Sequence, residues 1–359
     1  MAEIRLRPME SRDYPSVEAL WNACVKAGEV LYYPLTEKRF LETFVRHEGC
    51  EPGNLLVAET DGRITGMVHG VAPGTFRLSR PGQAYLTCLL VAPEARGQGV
   101  GSALLRTLKA RMREAGADTL YISSLNPVSL AWRIPGTPGH DHNNMPGLDT
   151  DCAGWGFFLH RGFQEKYREA AFYRDLADYR LPEEILIRQD QLLREGIRTG
   201  YWQPSWGDQF DGMCDRVGSE YWRDVLSTEI TAWKTGQPNA DERFWPDGRR
   251  PDGPRPLLTA VCQGQIVGFT GPVDRQESGR GWFTGICTDP LFERHGIATV
   301  LFNLLMNAFV QEGAAFTTLF TGLTSHARKV YERAGLRPVR EFALMALPLN
   351  EEEEGRIIK

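Results

Sequence analysis

Hydrophobic and polar residues follow the same order in two stretches of the chain, about 200 residues apart, which indicates a duplicated domain. Each stretch begins with two short apolar segments around a glycine, DGRITGMVHG at 61–70 and QGQIVGFTGP at 263–272. This pattern predicts a strand, a tight turn and a second strand. Two glycines keep the same spacing in both stretches: Gly62 and Gly66, then Gly264 and Gly268.

A further strand, a glycine-containing turn and an amphipathic helix follow in each stretch. Apolar residues recur every three or four positions, which predicts a helix with one buried face. The apolar positions are Val100, Leu104, Leu105, Leu108 and Met112 in the first helix, and Ile297, Leu301, Leu304, Leu305 and Phe309 in the second. Gly116 and Gly313 are the predicted C-caps.

Each copy is predicted to have the order β-α-α-β-β-β-α-β-α-β. This order indicates a mixed α/β (α+β) fold with a largely antiparallel, twisted sheet and helices on its faces. A chain of 359 residues accommodates two such domains. We expect an N-terminal domain at 1–180, a C-terminal domain at 181–350 and an acidic tail at 351–359 that contains the run Glu351–Glu354.

The first copy carries an insert that the second copy lacks, near residues 126–151. It is rich in Pro, Gly, Asn and Asp, and this composition predicts a loop. Loops of this length are usually functional or disordered.

Composition narrows the class of protein. The net charge of −5 argues against sequence-independent nucleic-acid binding. We find no run of about 18 apolar residues, so we expect no membrane span, and the first residues lack the apolar segment of a secretory signal. The seven cysteines form no CxxC pair and are expected to be reduced, as in a cytoplasmic protein.

The turn Arg96-Gly97-Gln98-Gly99-Val100-Gly101 lies between a predicted strand and a predicted helix. Glycines allow positive φ, so that successive N–H groups face one point, and the start of the helix adds unpaired amides and a positive dipole end. Such a turn suits a pyrophosphate. It is not a Walker loop, because no GKS or GKT follows, and the GxGxxG order of a dinucleotide fold is absent.

These residues resemble a known family. RGQGVG after LLVAP resembles the pyrophosphate loop of the GNAT N-acetyltransferase superfamily. The segments FFLHRGF and VYERAGL resemble the late helix of the same fold. The resemblance covers nearly the whole chain, once per half. It implies acetyl-CoA as co-substrate, bound in a V-shaped opening between two central strands, and direct attack by an amine on the thioester.

The resemblance also implies the site residues. In the first copy the main chain of Leu89, Leu90 and Val91 would bind the pantetheine and the thioester, with the Leu90 amide as oxyanion donor. The pyrophosphate would be held by Arg96, Gly97, Gln98, Gly99, Val100, Gly101 and Ser102. The corresponding residues of the second copy are Cys287, Thr288, Arg294, Gly296, Ile297 and Ala298.

The two copies depart from the family pattern in opposite ways. In the second turn Glu293 replaces Arg96, and a carboxylate there would repel phosphate unless it turned away. The tyrosine that often protonates the thiolate in this family corresponds to Tyr331 in the second copy and to Phe158 in the first. Three interpretations remain: the first copy uses another acid or water, the second copy catalyses, or one copy is structural. We favour catalysis in the first copy.

Other candidates have a structural alternative. His69 and Glu59 are possible general bases or ordinary strand residues. Cys88, like Cys287, is a conceivable nucleophile or a small packing residue. The tract His140–His142 is expected to be solvated, and we predict no metal.

Residues 201–245 contain a group of tryptophans that could line an acceptor site or form core packing: Trp202, Trp206, Trp222, Trp233 and Trp245. The insert at 126–151 could cover the acceptor cleft of the first copy or dock on the second copy.

The resulting hypothesis is an N-acetyltransferase acting on a small-molecule or peptide amine. The alternatives are a non-catalytic acyl-CoA sensor or structural duplicate and, more narrowly, a mycothiol-synthase-like tandem acetyltransferase. Sequence does not predict the acceptor, the acyl chain length or the oligomeric state.

Overall fold

The structure is a computed structural model that describes residues 3–28, 30–76, 79–128, 130, 132–137, 145–241, 245 and 249–349. The chain divides into two compact units. The first unit takes in the chain up to Ala170 and again from Arg340 onward, and the second unit is Ala171–Val339. The predicted acidic tail and the tract His140–His142 lie outside the described residues.

The first copy has the predicted order of elements, with one short strand added in the insert. Its elements are β1 (Ile4–Pro8), α1 (Tyr14–Lys26), α2 (Glu37–Phe40), β2 (Leu55–Thr60), β3 (Arg63–Val71), β4 (Gln83–Val91), α3 (Val100–Glu114), β5 (Thr119–Ile122), β6 (Leu148–Asp149), α4 (Gly154–His160) and β7 (Gln164–Asp175).

The second copy repeats this order after an additional helix, α5, and the strand that matches β4 is broken into β12 and β13. Its elements are α5 (Glu183–Arg194), β8 (Ile197–Tyr201), α6 (Asp211–Val217), α7 (Glu220–Thr235), β9 (Leu258–Cys262), β10 (Gln265–Gly271), β11 (Asp274–Arg275), β12 (Arg280–Trp282), β13 (Gly285–Thr288), α8 (Ile297–Gln311), β14 (Phe316–Gly322), α9 (His326–Arg333) and β15 (Arg337–Pro348).

The sheet of the first unit opens between two of its central strands. The strand order is β1-β2-β3-β4-β5-β15, and β1 to β4 are antiparallel neighbours. β4 and β5 are parallel, but their pairing covers only Gln83–Tyr85 on β4 and Thr119–Tyr121 on β5. The two strands therefore diverge from Leu86 onward and leave the edge of β4 that faces β5 available.

Both predicted hairpin turns are confirmed. Asp61 and Gly62 have φ of 50° and 73°, and Gln263 and Gly264 have φ of 50° and 80°. Positive φ at both central positions is typical of a type I′ turn, which matches the twist of the flanking strands. The match of Gly62 with Gly264 thus reflects a shared turn type.

The second pair of matching glycines marks close packing of a helix on the hairpin. A Cβ atom on Gly66 would lie 2.9 Å from the side chains of Val100 and Leu104 on α3. A Cβ atom on Gly268 would lie 2.9 Å from Ile297 on α8. Each helix therefore packs so closely that only glycine fits beneath its first turn, and this contact fixes where the glycine turn before the helix lies.

The second unit differs in its sheet. One sheet has the strand order β13-β10-β9-β8. In the other sheet, β7, β14, β12 and β11 are neighbours in that order. β12 pairs with β14 and β13 pairs with β10, so the break at residues 283–284 divides the strand that is continuous in the first unit.

The last strand of the chain belongs to the first unit for most of its length. Residues Met345–Pro348 of β15 pair with Thr119–Ile122 of β5, and Met345 and Leu347 are buried in the core of the first unit. The end of β7 in turn belongs to the second unit, where β7 neighbours β14. From their order in the sequence alone, β7 was expected in the first domain and β15 in the second. The apolar pattern of either strand does not distinguish between the two sheets.

Candidate functional site

The glycine turn of the first unit forms a nest of peptide groups at the start of α3. Gly97 and Gly99 have φ of 73° and 90°. Gly99 is the N-cap of α3, and no side chain caps the helix. A Cβ atom on either glycine would meet nothing within 4 Å, so the turn faces open space. Unpaired amides and the positive end of the helix dipole make this nest suited to a phosphate group.

Side chains brace the nest and place positive charge beside it. Arg96 donates to the Val91 carbonyl through Nε (3.1 Å) and Nη2 (3.0 Å). Gln98 Nε2 donates to the Glu94 carbonyl at 2.7 Å. Arg161, the residue that follows α4, donates to Ser102 Oγ at 2.5 Å. Arg96 and Arg161 thus lie on either side of the turn, where both can attract an anion.

The available edge of β4 continues from this turn. The Ala92 N–H donates to the Thr65 carbonyl of β3 at 2.9 Å. Because peptide directions alternate along a strand, Leu90 also directs its peptide groups towards β3, whereas Leu89 and Val91 direct theirs towards the opening. The register thus favours Leu89 over Leu90 as a donor into the opening.

A cleft of about 390 Å³ joins the nest to the available edge of β4. Most of its lining is apolar. A smaller hollow of about 40 Å³ shares Tyr32 and Thr87 with it and adds the buried Asn126. The cleft is lined by Cys24, Val30, Leu31, Tyr32, Leu86, Thr87, Cys88, Leu89, Leu90, Val91, Arg96, Gly97, Ile122, Met145, Gly147, Leu148, Asp149, Cys152, Ala153, Gly154, Phe157 and Phe158.

The described parts of the insert contribute a wall of this cleft. Trp132 forms a β-bridge with Tyr32, and the Arg133 N–H donates to the Leu31 carbonyl at 2.7 Å. At the other end of the insert, Leu148 and Asp149 pair with Ala343 and Phe342 of β15. Of the two roles considered for the insert, the structure therefore places it on the cleft of the first unit.

Among the described residues that line the cleft, Tyr32 is the one tyrosine, whereas the matching position on α4 carries phenylalanine. Phe157 and Phe158 both line the cleft, and a Cβ atom on Gly101 would lie 3.5 Å from the Phe157 ring. Tyr32 comes instead from the segment after α1, and its hydroxyl lies 3.5 Å from the Thr87 carbonyl. Burial raises the pKa of Tyr32 well above its usual range, so the phenol keeps its proton. No motif in the sequence marked this residue.

Tyr331 lies in the second unit and is buried. Its ring packs on Phe302 with centroids 4.8 Å apart. Burial raises the pKa of its hydroxyl above the usual range. Tyr331 therefore packs inside the second unit, with its hydroxyl protonated.

The two suggested general bases do not line the cleft. His69 is fully buried against Phe44, and burial lowers its pKa to about 3, so it is neutral. Glu59 pairs with Arg7, with Oε2 3.2 Å from Nη2. Both residues therefore fit the alternative of ordinary strand residues better than that of general bases.

The candidate cysteine nucleophiles are protonated thiols. Burial raises the pKa of Cys88, which lines the cleft, above its usual range, and burial raises the pKa of Cys287 to about 12. The thiolate is the nucleophilic form of cysteine. Cys88 and Cys287 therefore act as small packing residues.

The second turn keeps the backbone of the first but not its open face. Arg294 and Gly296 have φ of 63° and 72°, so the positions that match Gly97 and Gly99 are again left-handed. Arg188 of α5 donates to the His295 carbonyl at 2.7 and 3.0 Å. A Cβ atom on Gly296 would lie 3.3 Å from Arg188 Nε. Arg188 thus lies across this turn.

Arg188 is itself held in an ionic network. Glu195 accepts from Arg188 Nη1 at 2.8 Å and contacts His295 Nδ1 at 3.1 Å. Beside the turn, the buried Asp289 pairs with Arg216, with Nε 2.8 Å from Oδ1. Two cations beside the second turn, Arg188 and Arg216, are therefore already paired with carboxylates. Cys287 and Thr288 end the short strand β13, and Ile297 and Ala298 begin α8.

The tryptophans of the second unit serve packing. Trp202, Trp206, Trp222 and Trp233 belong to or pack against one apolar cluster of that unit. Trp222 presses on β13 so closely that a Cβ atom on Gly285 would lie 2.3 Å from its ring. By register with Gly268 and Gly66, Gly285 corresponds to Cys88, which lines the cleft in the first unit. An aromatic ring thus covers the position that is open in the first unit.

Within the described ranges, no group of three or more histidine, cysteine, aspartate or glutamate side chains is arranged to hold a metal ion. Among the helices that the structure describes, none has the length and apolar character required to cross a bilayer.

Comparison with known proteins identifies the family. The sequence model of the acetyltransferase (GNAT) family matches twice, over residues 17–132 and 219–336. A curated relative, L-2,4-diaminobutyric acid acetyltransferase of Nocardia farcinica, is 38% identical over 82 residues, which are 22% of this chain and 40% of the relative. The chain thus spans less than half the length of this relative.

Two solved structures share the fold over almost the whole chain. One, the glucosamine N-acetyltransferase region of a fungal multi-domain β-N-acetylglucosaminidase, has a TM-score of 0.60 at 18% identity and covers 97% of this chain and 38% of its own. The other, a tandem GNAT protein of clavulanic acid biosynthesis, has a TM-score of 0.51 at 14% identity and covers 98% of this chain and all of its own. At these identities the likeness establishes the fold.

Proposed function

Because the chain belongs to the acetyltransferase (GNAT) family, we propose that it transfers an acetyl group from acetyl-CoA to a primary amine and that the first unit carries the reaction. The observation that supports this most is the continuous cleft from the open nest at Gly97 to the available edge of β4. The acceptor is a primary amine of a small molecule or a peptide.

The nest fits a pyrophosphate and the strand edge fits pantetheine. The amides from Arg96 to Ser102 would hold the phosphate oxygens, with Arg96 and Arg161 adding positive charge. The peptide groups of Leu89 and Val91 face the opening and would pair with pantetheine amides as an added strand does. The peptide groups of Leu90 face β3, so in this proposal Leu90 is not the oxyanion donor.

The chemistry is a direct attack in a ternary complex. A neutral amine adds to the thioester carbonyl, and the Leu89 N–H would donate a hydrogen bond to the carbonyl oxygen as it gains negative charge. The C–N bond forms, the C–S bond breaks, the electron pair goes to the sulfur of CoA, and the proton that the nitrogen loses is balanced by the one that converts this thiolate to the thiol. Burial raises the pKa of two of the cysteines that line the cleft, Cys88 and Cys152, which argues against an acyl-enzyme at either of them.

Tyr32 supplies the proton-bearing hydroxyl that α4 lacks. It lies in the cleft, which Cys88 and Cys152 also line. We propose that it donates a hydrogen bond near the departing sulfur. The second unit then has a structural role, since Arg188 lies across its turn and Trp222 covers the position matching Cys88.

A thiol-release assay with a panel of primary amines tests this function. Acetylation of diaminobutyrate by the curated relative makes that amine a sensible first member of the panel. Wild-type protein and Gly296→Glu should release CoA at similar rates, whereas Gly99→Glu should be at least about 100-fold slower, because bulk and negative charge enter the open nest. Tight acetyl-CoA binding without thiol release on any amine would support the sensor alternative instead.

A further inference from the structure

The face of α3 that points to solvent carries a row of positive charge. The helix has four basic residues and one acidic residue, Glu114. Arg106, Lys109 and Arg113 follow Ser102 at intervals of four, three and four positions, so all four side chains share one face of the helix. The opposite face of α3 is apolar and packs on the hairpin of the first unit. We call Arg106, Lys109 and Arg113 the basic stripe of α3.

One end of the basic stripe adjoins the nest at the start of α3. Ser102 lies about one turn before Arg106 and belongs to the segment proposed to hold the pyrophosphate. Its Oγ accepts from Arg161 at 2.5 Å. Arg161 and the stripe thus place positive charge along one flank of the nest. An anion held on the stripe would repel the CoA phosphates and screen the charge that attracts them.

The other end of the basic stripe meets the last described residue of the chain. The Leu349 carbonyl accepts from Arg113 Nε at 2.5 Å, and the Leu349 N–H donates to the Asp118 carbonyl at 2.7 Å. Leu349 is itself buried in the core of the first unit. The residues that follow Leu349 therefore begin beside Arg113.

Four consecutive carboxylates, Glu351–Glu354, follow close behind Leu349 in the sequence. An extended chain spans about 3.3 Å per residue, so Glu354 can lie up to about 17 Å from Leu349. A helix rises about 1.5 Å per residue, so Arg106 lies about 10 Å along α3 from Arg113. The run Glu351–Glu354 therefore reaches the whole stripe, even if the chain first reverses direction, and its charge is opposite to that of the stripe.

We propose that the run Glu351–Glu354 docks on the basic stripe of α3 and competes with the phosphates of CoA for its positive charge. This inference rests on the proposed function, because it takes the nest of the first unit as the CoA site. No covalent step is involved. Because the coupling between two ligands is reciprocal, the run weakens CoA binding by the same factor by which CoA weakens docking of the run.

Titration of CoA into a variant without these carboxylates measures the competition. The tail variant replaces all four by amides in the full chain: Glu351→Gln, Glu352→Gln, Glu353→Gln and Glu354→Gln. It should bind CoA about 3- to 10-fold more tightly than wild type at low salt, the effect of one or two exposed ion pairs. At about 0.5 M salt the gain should fall below about twofold, because salt screens exposed charges.

A control at the start of α5 separates docking from a general loss of negative charge. Glu183 and Glu184 are exposed and lie in the second unit. Glu183→Gln/Glu184→Gln should leave the Kd for CoA unchanged at both salt concentrations.

A double-mutant cycle locates the docking surface. In the Arg106→Gln/Lys109→Gln background the tail variant should gain less than about twofold in CoA affinity, because the stripe that holds the run is gone. Lys329→Gln/Arg333→Gln is the matched background, because it removes two exposed basic residues one turn apart on α9 of the second unit. There the tail variant should keep its full gain.

Carbodiimide cross-linking tests the contact itself. In the absence of CoA, wild-type protein should form an amide bond between Lys109 Nζ and a carboxyl group of the run, within one chain. Saturating CoA should lower the yield at least about threefold, as reciprocity requires. Lys26, the last residue of α1, is the control lysine and should form no such bond. Peptide mass spectrometry identifies the linked residues.

Several results would overturn the inference while CoA still binds: equal Kd values for wild type and the tail variant at low salt, an undiminished gain in the Arg106→Gln/Lys109→Gln background, no cross-link to Lys109, or a cross-link found only between two chains. Failure of CoA to bind wild-type protein would instead overturn the proposed function.

Discussion

The two glycine turns of this chain have nearly the same backbone and very different surroundings. Left-handed residues occupy matching positions, 97 and 99 in one and 294 and 296 in the other. The first turn faces open space, whereas Arg188 lies across the second at the position of Gly296. The comparison teaches that a peptide nest is necessary for an anion site but that access decides whether it can be used.

The strands that precede the two turns also differ in whether their edge is available. β4 is continuous and diverges from β5, so that its edge is available from Leu86 onward. In the second unit the matching strand is divided between β12 and β13, and Trp222 packs on Gly285. Both copies have the same fold, and the opening beside β4 is found in the first copy.

The largest expected effect concerns the last strand. Phe342 is fully buried and packs on Trp132 of the insert, with ring centroids 5.1 Å apart. Phe342→Ala should reduce the free energy of unfolding by about 3–5 kcal/mol, because it leaves a large cavity. Chemical denaturation measures this, with the exposed Leu291→Ala of the second unit as control. A loss below about 1 kcal/mol would show that β15 does not complete the first unit.

The next effect is a pH dependence confined to the first unit. Burial lowers the pKa of His69 from its ordinary 6.5 to about 3, whereas the matching position of β10 is Gly271. Below pH 6.5 the unfolded chain takes up a proton that the folded chain refuses. Stability should therefore fall by about 1.4 kcal/mol per pH unit from 6.5 towards 3, and level off below 3.

His69→Leu should remove this contribution without loss of stability at pH 7, since the ring nitrogens of His69 have no hydrogen-bond partner within the described part of the chain. The exposed His326→Gln is the control. Parallel stability–pH curves for wild type and His69→Leu would contradict the burial of a neutral histidine.

A third pair of variants tests what the copies share. Gly66→Ala and Gly268→Ala each place a methyl group 2.9 Å from the first turn of a packed helix. Both should lower the free energy of unfolding by about 1–3 kcal/mol, as overpacking does. Gly116→Ala is a useful contrast, because its cost comes from a φ of 83° with open space around it. Unequal losses at Gly66 and Gly268 would mean that the two hairpins contact their helices differently.

The smallest expected effect is at the tyrosine that the family pattern singles out. Tyr331 is buried against Phe302 in the second unit. Tyr331→Phe should change kcat less than about twofold, whereas Tyr32→Phe should lower kcat about 10- to 100-fold with the KM for acetyl-CoA unchanged. A large loss of kcat in Tyr331→Phe would indicate that the second unit carries the reaction.

Local features were predictable from the sequence where one residue type meets a specific backbone need. Gly62 and Gly264 predicted the two tight turns, because positive φ there favours glycine, whereas the equal spacing of Gly66 and Gly268 was visible in the sequence without the helix contact that it reflects. The nest at Gly97 and Gly99 was predictable for the same reason. These constraints are short-range and appear directly in the spacing.

Long-range features were not predictable. Which sheet β15 joins depends on pairing between segments more than 200 residues apart, and either sheet suits its apolar pattern. Tyr32 and Asp149 reach the cleft through a loop and an insert, whose paths leave no periodic signal. Arg188 closes the second turn from a different helix, so the turn's own sequence could not reveal it.

The stoichiometry of CoA binding tests the central claim most directly. Isothermal titration should give one CoA per chain for wild type and for Gly296→Glu, and at least about 100-fold weaker binding for Gly99→Glu. Two CoA molecules per chain, or loss of binding in Gly296→Glu with full affinity in Gly99→Glu, would contradict the assignment of the open nest in the first unit as the coenzyme site.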